Sequence, residues 1–386
     1  MNRLILVGNG FDLAKGLKSS YQHFIDWMWK NIINKYIKNR QQLYEDDFVI
    51  INNCIFELDS TKVYNYPTFK EFLDKYNVSI EFKNTFFKII TPKADSNWVD
   101  IETAYFNEIK NILLKEKEEA QKSIEKLNTD FEQIKLELQK YLTSQLANFE
   151  LPNFGIANIG EQFNLLDFTS KGVEEFEKEY KSKIGEDLFL LKKESIKQGE
   201  YFYCNTDTFP QNVLFLNFNY TPFIPALIKT FQNRHWNLND WRQSKMEYIY
   251  IHGELNEKEN PIIFGYGDEN DEIQSEIEKR GGDYLNNIKT INYLKTPNYK
   301  RVLSFLDSAN YQVFIMGHSC GLSDKTLLKT IFEHPNCISI RPFYYIDKKG
   351  NNNYNDIVRN IYRTFTDKAL MRDKVVNEKY CRELKI

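Results

Sequence analysis

The chain has 386 residues, 42% of them hydrophobic, which is enough for one large domain or two modest ones around a real core. Its 51 Lys and Arg against 54 Asp and Glu leave a net charge of -3, which excludes a strongly basic nucleic-acid footprint and a surface built for anionic membranes. The five cysteines form no C-x-x-C and pair with none of the five histidines at zinc-ligand spacing, so a reduced, metal-free cytoplasmic protein is expected. The opening MNRLILVGNG lacks a cleavage site, and no run approaches the ~18 apolar residues of a membrane span, so neither secretion nor membrane insertion is expected.

In chain order, RLILV at 3–7 predicts a first buried strand, and GNGFDLAKG after it reads as a strand-to-helix turn. Residues 20–40 predict a helix. From Ala120 the apolar positions run Ala120, Ile124, Leu127, Phe131, Ile134, Leu138, Tyr141, a heptad seam that suits either a long helix in a bundle or a dimeric coiled coil. Residues 173–197 predict another helix, with Val173, Phe176, Tyr180 and Ile184 on one face. VLFL at 213–216, YIYI at 248–251, IIF at 262–264 and VFIM at 313–316 predict further buried strands. The tail from Asn355 predicts a closing amphipathic helix through Ile357, Val358, Ile361, Tyr362 and Phe365.

This pattern implies an α/β fold: a Rossmann-like, mainly parallel sheet flanked by helices, with a large helical insertion after the first strand-helix unit. The division expected is a nucleotide-binding core over 1–20 plus 205–386 and an insertion over 21–204. The insertion carries the heptad-patterned helix, at about 105–147, and offers a route to a homo-oligomer.

Gly317-His318-Ser319-Cys320-Gly321 matches G-x-S-x-G, the turn that presents a nucleophilic serine. A hydrolase triad needs an acid and then a histidine on later strand-end loops, yet downstream of Ser319 there is only His334, with Asp324 between them in the first turn of the same helix. Ser319 therefore reads as a hydroxyl that caps a helix or touches a ligand. Gly8-Asn9-Gly10-Phe11-Asp12 sits where glycines let a backbone approach a phosphate. It is neither the dinucleotide fingerprint, since Leu13 stands where glycine is needed, nor a P-loop, and Asp12 as an N-cap is the plainer reading. Asn219 in LNFNYT, His252 in YIYIHGE, and Gly317 with Ser319 all end strands. In a parallel sheet they share one edge, where carboxamide, imidazole and hydroxyl could converge on a pocket.

GNGFDLAKGLKSSYQHF at 8–24 closely resembles the opening motif of the AbiH family, bacterial abortive-infection proteins of anti-phage defence. NWVDIE at 97–102, LNFNYT at 216–221, IHG at 251–253 and GHSCGLSD at 317–324 follow in the same order. More distantly, the order resembles sirtuin-like defence domains that bind or hydrolyse NAD. That resemblance implies catalytic places for Asn219 and His252. It implies nucleotide-contacting places for Gly8, Asn9, Gly10, Phe11, Asp12, Tyr220, Gly317, His318, Ser319 and Asp324, with NAD or a related small-molecule nucleotide as ligand and no metal. Asp12 replaces that pattern's serine and Thr221 stands where it has an acid. A non-catalytic nucleotide sensor is the rival expectation. In NWVDIE, Trp98 reads as a core anchor with Asp100 and Glu102 on a solvated face, or as a group near the pocket.

Overall fold

Six consecutive buried residues, Asn2–Val7, form β1, and a strand covered on both faces belongs in the middle of a parallel sheet. In the computed structural model this is its position. The structure describes all residues except 40, 55–61, 93–97, 148, 151–158, 160, 187–208, 234–243, 268–272 and 386. The chain divides into two compact units, one of Met1–Leu17, Phe149–Ile263 and Lys289–Ile386, the other of Lys18–Asn148 and Phe264–Ile288.

The first unit holds the sheet. The remaining strands, numbered through the whole chain, are β2 (Leu43–Glu45), β3 (Val49–Asn52), β4 (Ser79–Phe82), β5 (Asn212–Asn217), β6 (Lys245–Tyr250), β7 (Tyr311–Met316), β8 (Cys337–Tyr344) and β9 (Arg382–Glu383). The first unit's sheet is six-stranded, ordered β6-β5-β1-β7-β8-β9, and every pairing in it is parallel. Leu4 lies opposite Leu214 on one side and Val313 on the other. Leu4, Leu6, Leu216, Val313 and Ile315 pack with Leu328, Ile331, Ile357 and Ile361 of the flanking helices Lys325–Glu333 and Tyr354–Thr364. The tail helix thus forms as its apolar spacing predicted.

Two strand expectations change. Residues 262–264 are buried but form no strand; the Ile263 N–H donates to the His252 carbonyl at 2.8 Å, so their apolar letters record burial beside a turn and not a ladder. β8 was not predicted, because Ser339, Arg341 and Pro342 break its apolar run. Its Arg341 is 1% exposed and its Nη1 is paired with Glu161 at 2.9 Å and Asp167 at 3.2 Å, so a charge that reads as surface is a paired interior group. The helix foreseen over 173–197 is described over Ser170–Ile184, and 187–197 lies outside the described residues.

The second unit is largely helical, with β2, β3 and β4 forming a small antiparallel sheet. Helix Tyr21–Lys38 starts at Ser20, whose hydroxyl accepts from the His23 N–H. The helix expected over about 105–147 is instead two, Trp98–Leu113 and Lys117–Ala147. The first closes with short-range bonds from Leu114 and Lys115 back to Asn111 and Ile112. All seven heptad positions from Ala120 to Tyr141 are buried. They face neighbours within the unit: Phe131 lies 4.2 Å from Tyr105 and 5.3 Å from Phe86, and Tyr141 lies 5.4 Å from Trp27, ring to ring. The seam serves a bundle. Trp98 is an anchor here, donating to Ser19 O at 3.0 Å and meeting Tyr21 edge-on. Asp100 is exposed, but Glu102, also expected in solvent, is 5% exposed and accepts from the Gly265 N–H at 3.3 Å.

Candidate functional site

The order β6-β5-β1-β7 sets the carboxyl ends of four adjacent strands side by side, so the turns carrying His252, Asn219, Gly8 and Gly317 lie along one sheet edge. At β1 the chain's progress across the sheet reverses, the place where open α/β sheets form their binding crevice.

The turns after β1 and β7 close tightly on each other. Gly8 N–H donates to Met316 O at 3.1 Å and Gly10 N–H to Gly317 O at 2.8 Å. A Cβ on Gly8 would come within 2.5 Å of His318 Cα, one on Gly10 within 2.9 Å of Gly317 Cα, and Gly317 has φ +73°. The steric need for these glycines is the approach of one turn to the other. Asn9 is half-buried above them. Phe11 is fully buried, its N–H donating to Gly8 O.

Asp12 does not cap the helix that follows β1. The N-cap is Gly8, without a side-chain bond, and Asp12 lies inside Asn9–Ala14. Its carboxylate, 1% exposed, accepts from Asn219 Nδ2 at 2.9 Å and from Thr221 Oγ1 at 2.7 Å. Burial pushes this carboxyl up to about 7, although the bonds from Thr221 and Asn219 work the other way. Asn219 spends its second amide hydrogen on Gly8 O at 3.0 Å, so what remains to it is the carbonyl oxygen as an acceptor.

His252 belongs to a second buried cluster centred on Asp324. His252 Nε2 lies 3.1 Å from Asp324 Oδ1 and 3.2 Å from the Tyr293 hydroxyl. Lys289 Nζ reaches the same Oδ1 at 2.8 Å, and His318 Nε2 stands 3.4 Å from Oδ2. All of these side chains are 7% exposed or less. Phe218 lies edge-on to the His252 ring, centroids 5.1 Å apart, and 4.1 Å from that of His318.

Burial and the Lys289 ammonium lower His252 to about 4, against an opposing pull from Asp324. Burial alone would raise Asp324, but Lys289, His252 and His318 hold it well below the usual carboxylate range. At neutral pH the ion pair is therefore Lys289 with Asp324, and His252 is a neutral imidazole bonded to it. An ionised carboxylate only accepts, which assigns the His252 proton to Nε2 and the lone pair to Nδ1. His318 is assigned its proton on Nε2 likewise, because its Nδ1 accepts from the Cys320 N–H at 3.0 Å.

Ser319 is exposed and caps nothing; the short helical turn Leu322–Asp324 starts at Gly321 with no side-chain bond. The positive φ of this turn falls on Gly317 and on Cys320, at 55°, and not on the serine. Tyr220 is half-buried, its hydroxyl 3.4 Å from Ile263 O. Lys289 and Tyr293 were missed from the sequence. They sit in NNIKTINYLK, far from any strand end, and nothing in that stretch marks them apart from ordinary helix residues. Among the described residues no group of His, Cys, Asp and Glu is arranged to hold a metal, and no helix is long and apolar enough to cross a membrane.

Residues 4–346 match the family model described as bacteriophage abortive infection AbiH. No curated protein matches the chain.

Proposed function

Because the chain belongs to the AbiH family of bacteriophage abortive infection, we propose that it defends against phage by binding and hydrolysing NAD or a related nucleotide at this sheet edge, with His252 as general base. The observation that carries this reading is the placement of His252 at the sheet edge with Nε2 3.1 Å from Asp324 Oδ1, a contact that directs the ring proton to Nε2 and leaves the lone pair on Nδ1. Cleavage of the nicotinamide-ribose bond passes through an oxocarbenium-like state and asks little covalent chemistry of a protein. His252 would take a proton from the attacking water, and the Asn219 carbonyl would accept from that water or from a ribose hydroxyl. Asp12 and Thr221, the two positions that depart from the sirtuin-like pattern, are hydrogen-bonded to each other at 2.7 Å.

A non-catalytic nucleotide sensor is favoured by one observation, the commitment of both Asn219 amide hydrogens to the protein's own atoms. Phage challenge of cells carrying wild type, Asn219→Ala, His252→Ala or both, with survival and the NAD pool followed together, separates the two readings. Residues acting as a unit lose function non-additively, so each single variant should fall about as far as the double. Protection by wild type with a constant NAD pool would end the hydrolase reading, and protection retained by His252→Ala would leave the sensor.

A further inference from the structure

We propose that Lys289 is a positioning residue of this site: from the helix Lys289–Asn292 its ammonium fixes the Asp324 carboxylate against His252 Nε2, so that Nδ1 remains the basic nitrogen. This rests on the reading of His252 as the general base. Lys289 Nζ and His252 Nε2 converge on a single oxygen, Asp324 Oδ1, at 2.8 and 3.1 Å, and Lys289 is 1% exposed. Burying an ammonium is costly, and a purely structural contact could be replaced by apolar packing at no loss. Here the buried cation has a specific electrostatic effect. A lone carboxylate 3.1 Å from an imidazole raises its proton affinity, so that more of the ring is protonated at a given pH. The ammonium on the same oxygen cancels that pull.

Among the described residues, the groups facing His252 from each packed element are Asp324, Lys289, Tyr293 and His318, and of these Lys289 carries the positive charge at this contact. The influences on His252 follow the geometry: burial and Lys289 lower it, Asp324 raises it. Tyr293, four residues after Lys289, adds its hydroxyl at 3.2 Å from Nε2, so one short stretch of chain bears on both neighbours of that nitrogen.

The test follows the ring protons of the five histidines by NMR as pH is varied, in wild type, Lys289→Met and Lys289→Arg, with His252→Gln to identify the resonance. Wild-type His252 should titrate well below the ordinary ~6.5 of a histidine. In Lys289→Met its midpoint should rise by about one unit or more, and Lys289→Arg should restore it. With NAD as substrate, the acid limb of the rate should move with the midpoint, costing up to about tenfold below about pH 4 and little from about pH 6 upward, since a one-unit shift is a tenfold change in the fraction of free base only below the midpoint. An unchanged midpoint in folded Lys289→Met overturns the proposal. If that variant fails to fold, a wild-type midpoint at or above ~6.5 overturns it without any variant, and a low one that rises in Lys289→Gln supports it. Wild type that turns over no NAD while the midpoint still shifts sinks the hydrolase reading and leaves the role of Lys289 standing.

Discussion

The Asn219 side chain donates to Asp12 Oδ1 at 2.9 Å, tying the turn after β5 to the helix after β1. The bond joins two elements about two hundred residues apart in sequence, and it makes Asp12 an interior carboxylate with donors on both oxygens.

Stability should therefore depend on the Asp12 proton. A carboxyl raised from 3.8 to about 7 in the folded state favours folding fully below about pH 4 and loses that contribution as pH rises through 7. The difference is worth at most about 4 kcal/mol. Asp12→Asn keeps an acceptor for Asn219 and can donate to Thr221 Oγ1, so it should flatten the decline in melting temperature between about pH 4.5 and 8. Parallel curves for wild type and variant would show that this proton does not move on folding.

Asp324→Ala should destabilise the protein by about 3–5 kcal/mol, because it strands the Lys289 ammonium in the interior. The Asp324→Ala/Lys289→Met double variant should lose clearly less than the sum of the two single changes. Denaturant midpoints for the four proteins provide the cycle; simple additivity would mean that the two charges do not interact.

Gly317→Ala should cost at least about 3 kcal/mol, combining a left-handed backbone with a collision against the backbone of Gly10 and Phe11. Gly350 also has positive φ, +85°, but open space around it, so Gly350→Ala should cost only about 1 kcal/mol. Equal losses at both positions would remove the close approach of the two turns as an explanation.

Ser319→Ala should change stability by no more than about 0.5 kcal/mol, since the side chain is exposed and caps no helix. A fluorophosphonate probe should leave wild-type Ser319 unlabelled. Stoichiometric labelling would mean that a base reaches this serine, and would restore the esterase reading of GHSCG.

What the sequence determined by itself is what short-range patterning encodes. Apolar runs at 3–7, 213–216 and 313–316 are β1, β5 and β7, because residues buried on both faces of a parallel strand must nearly all be apolar, whereas the run at 248–251 marks only the buried end of the edge strand β6, whose earlier residues are largely exposed. The heptad seam became a buried helix face for the same reason, and the glycine-bearing turns were legible because strand ends in such a sheet share an edge. β8 escaped, since its Ser339 and Arg341 are interior groups whose partners come from distant segments. The partners at the site were equally hidden. Asp12 reads as a helix cap until Asn219 and Thr221 are brought to it, and Lys289 reads as a surface cation until it meets Asp324. Local sequence fixes neither pairing, because the desolvation that moves Asp12 up and His252 down exists only once the tertiary fold has excluded water from both clusters.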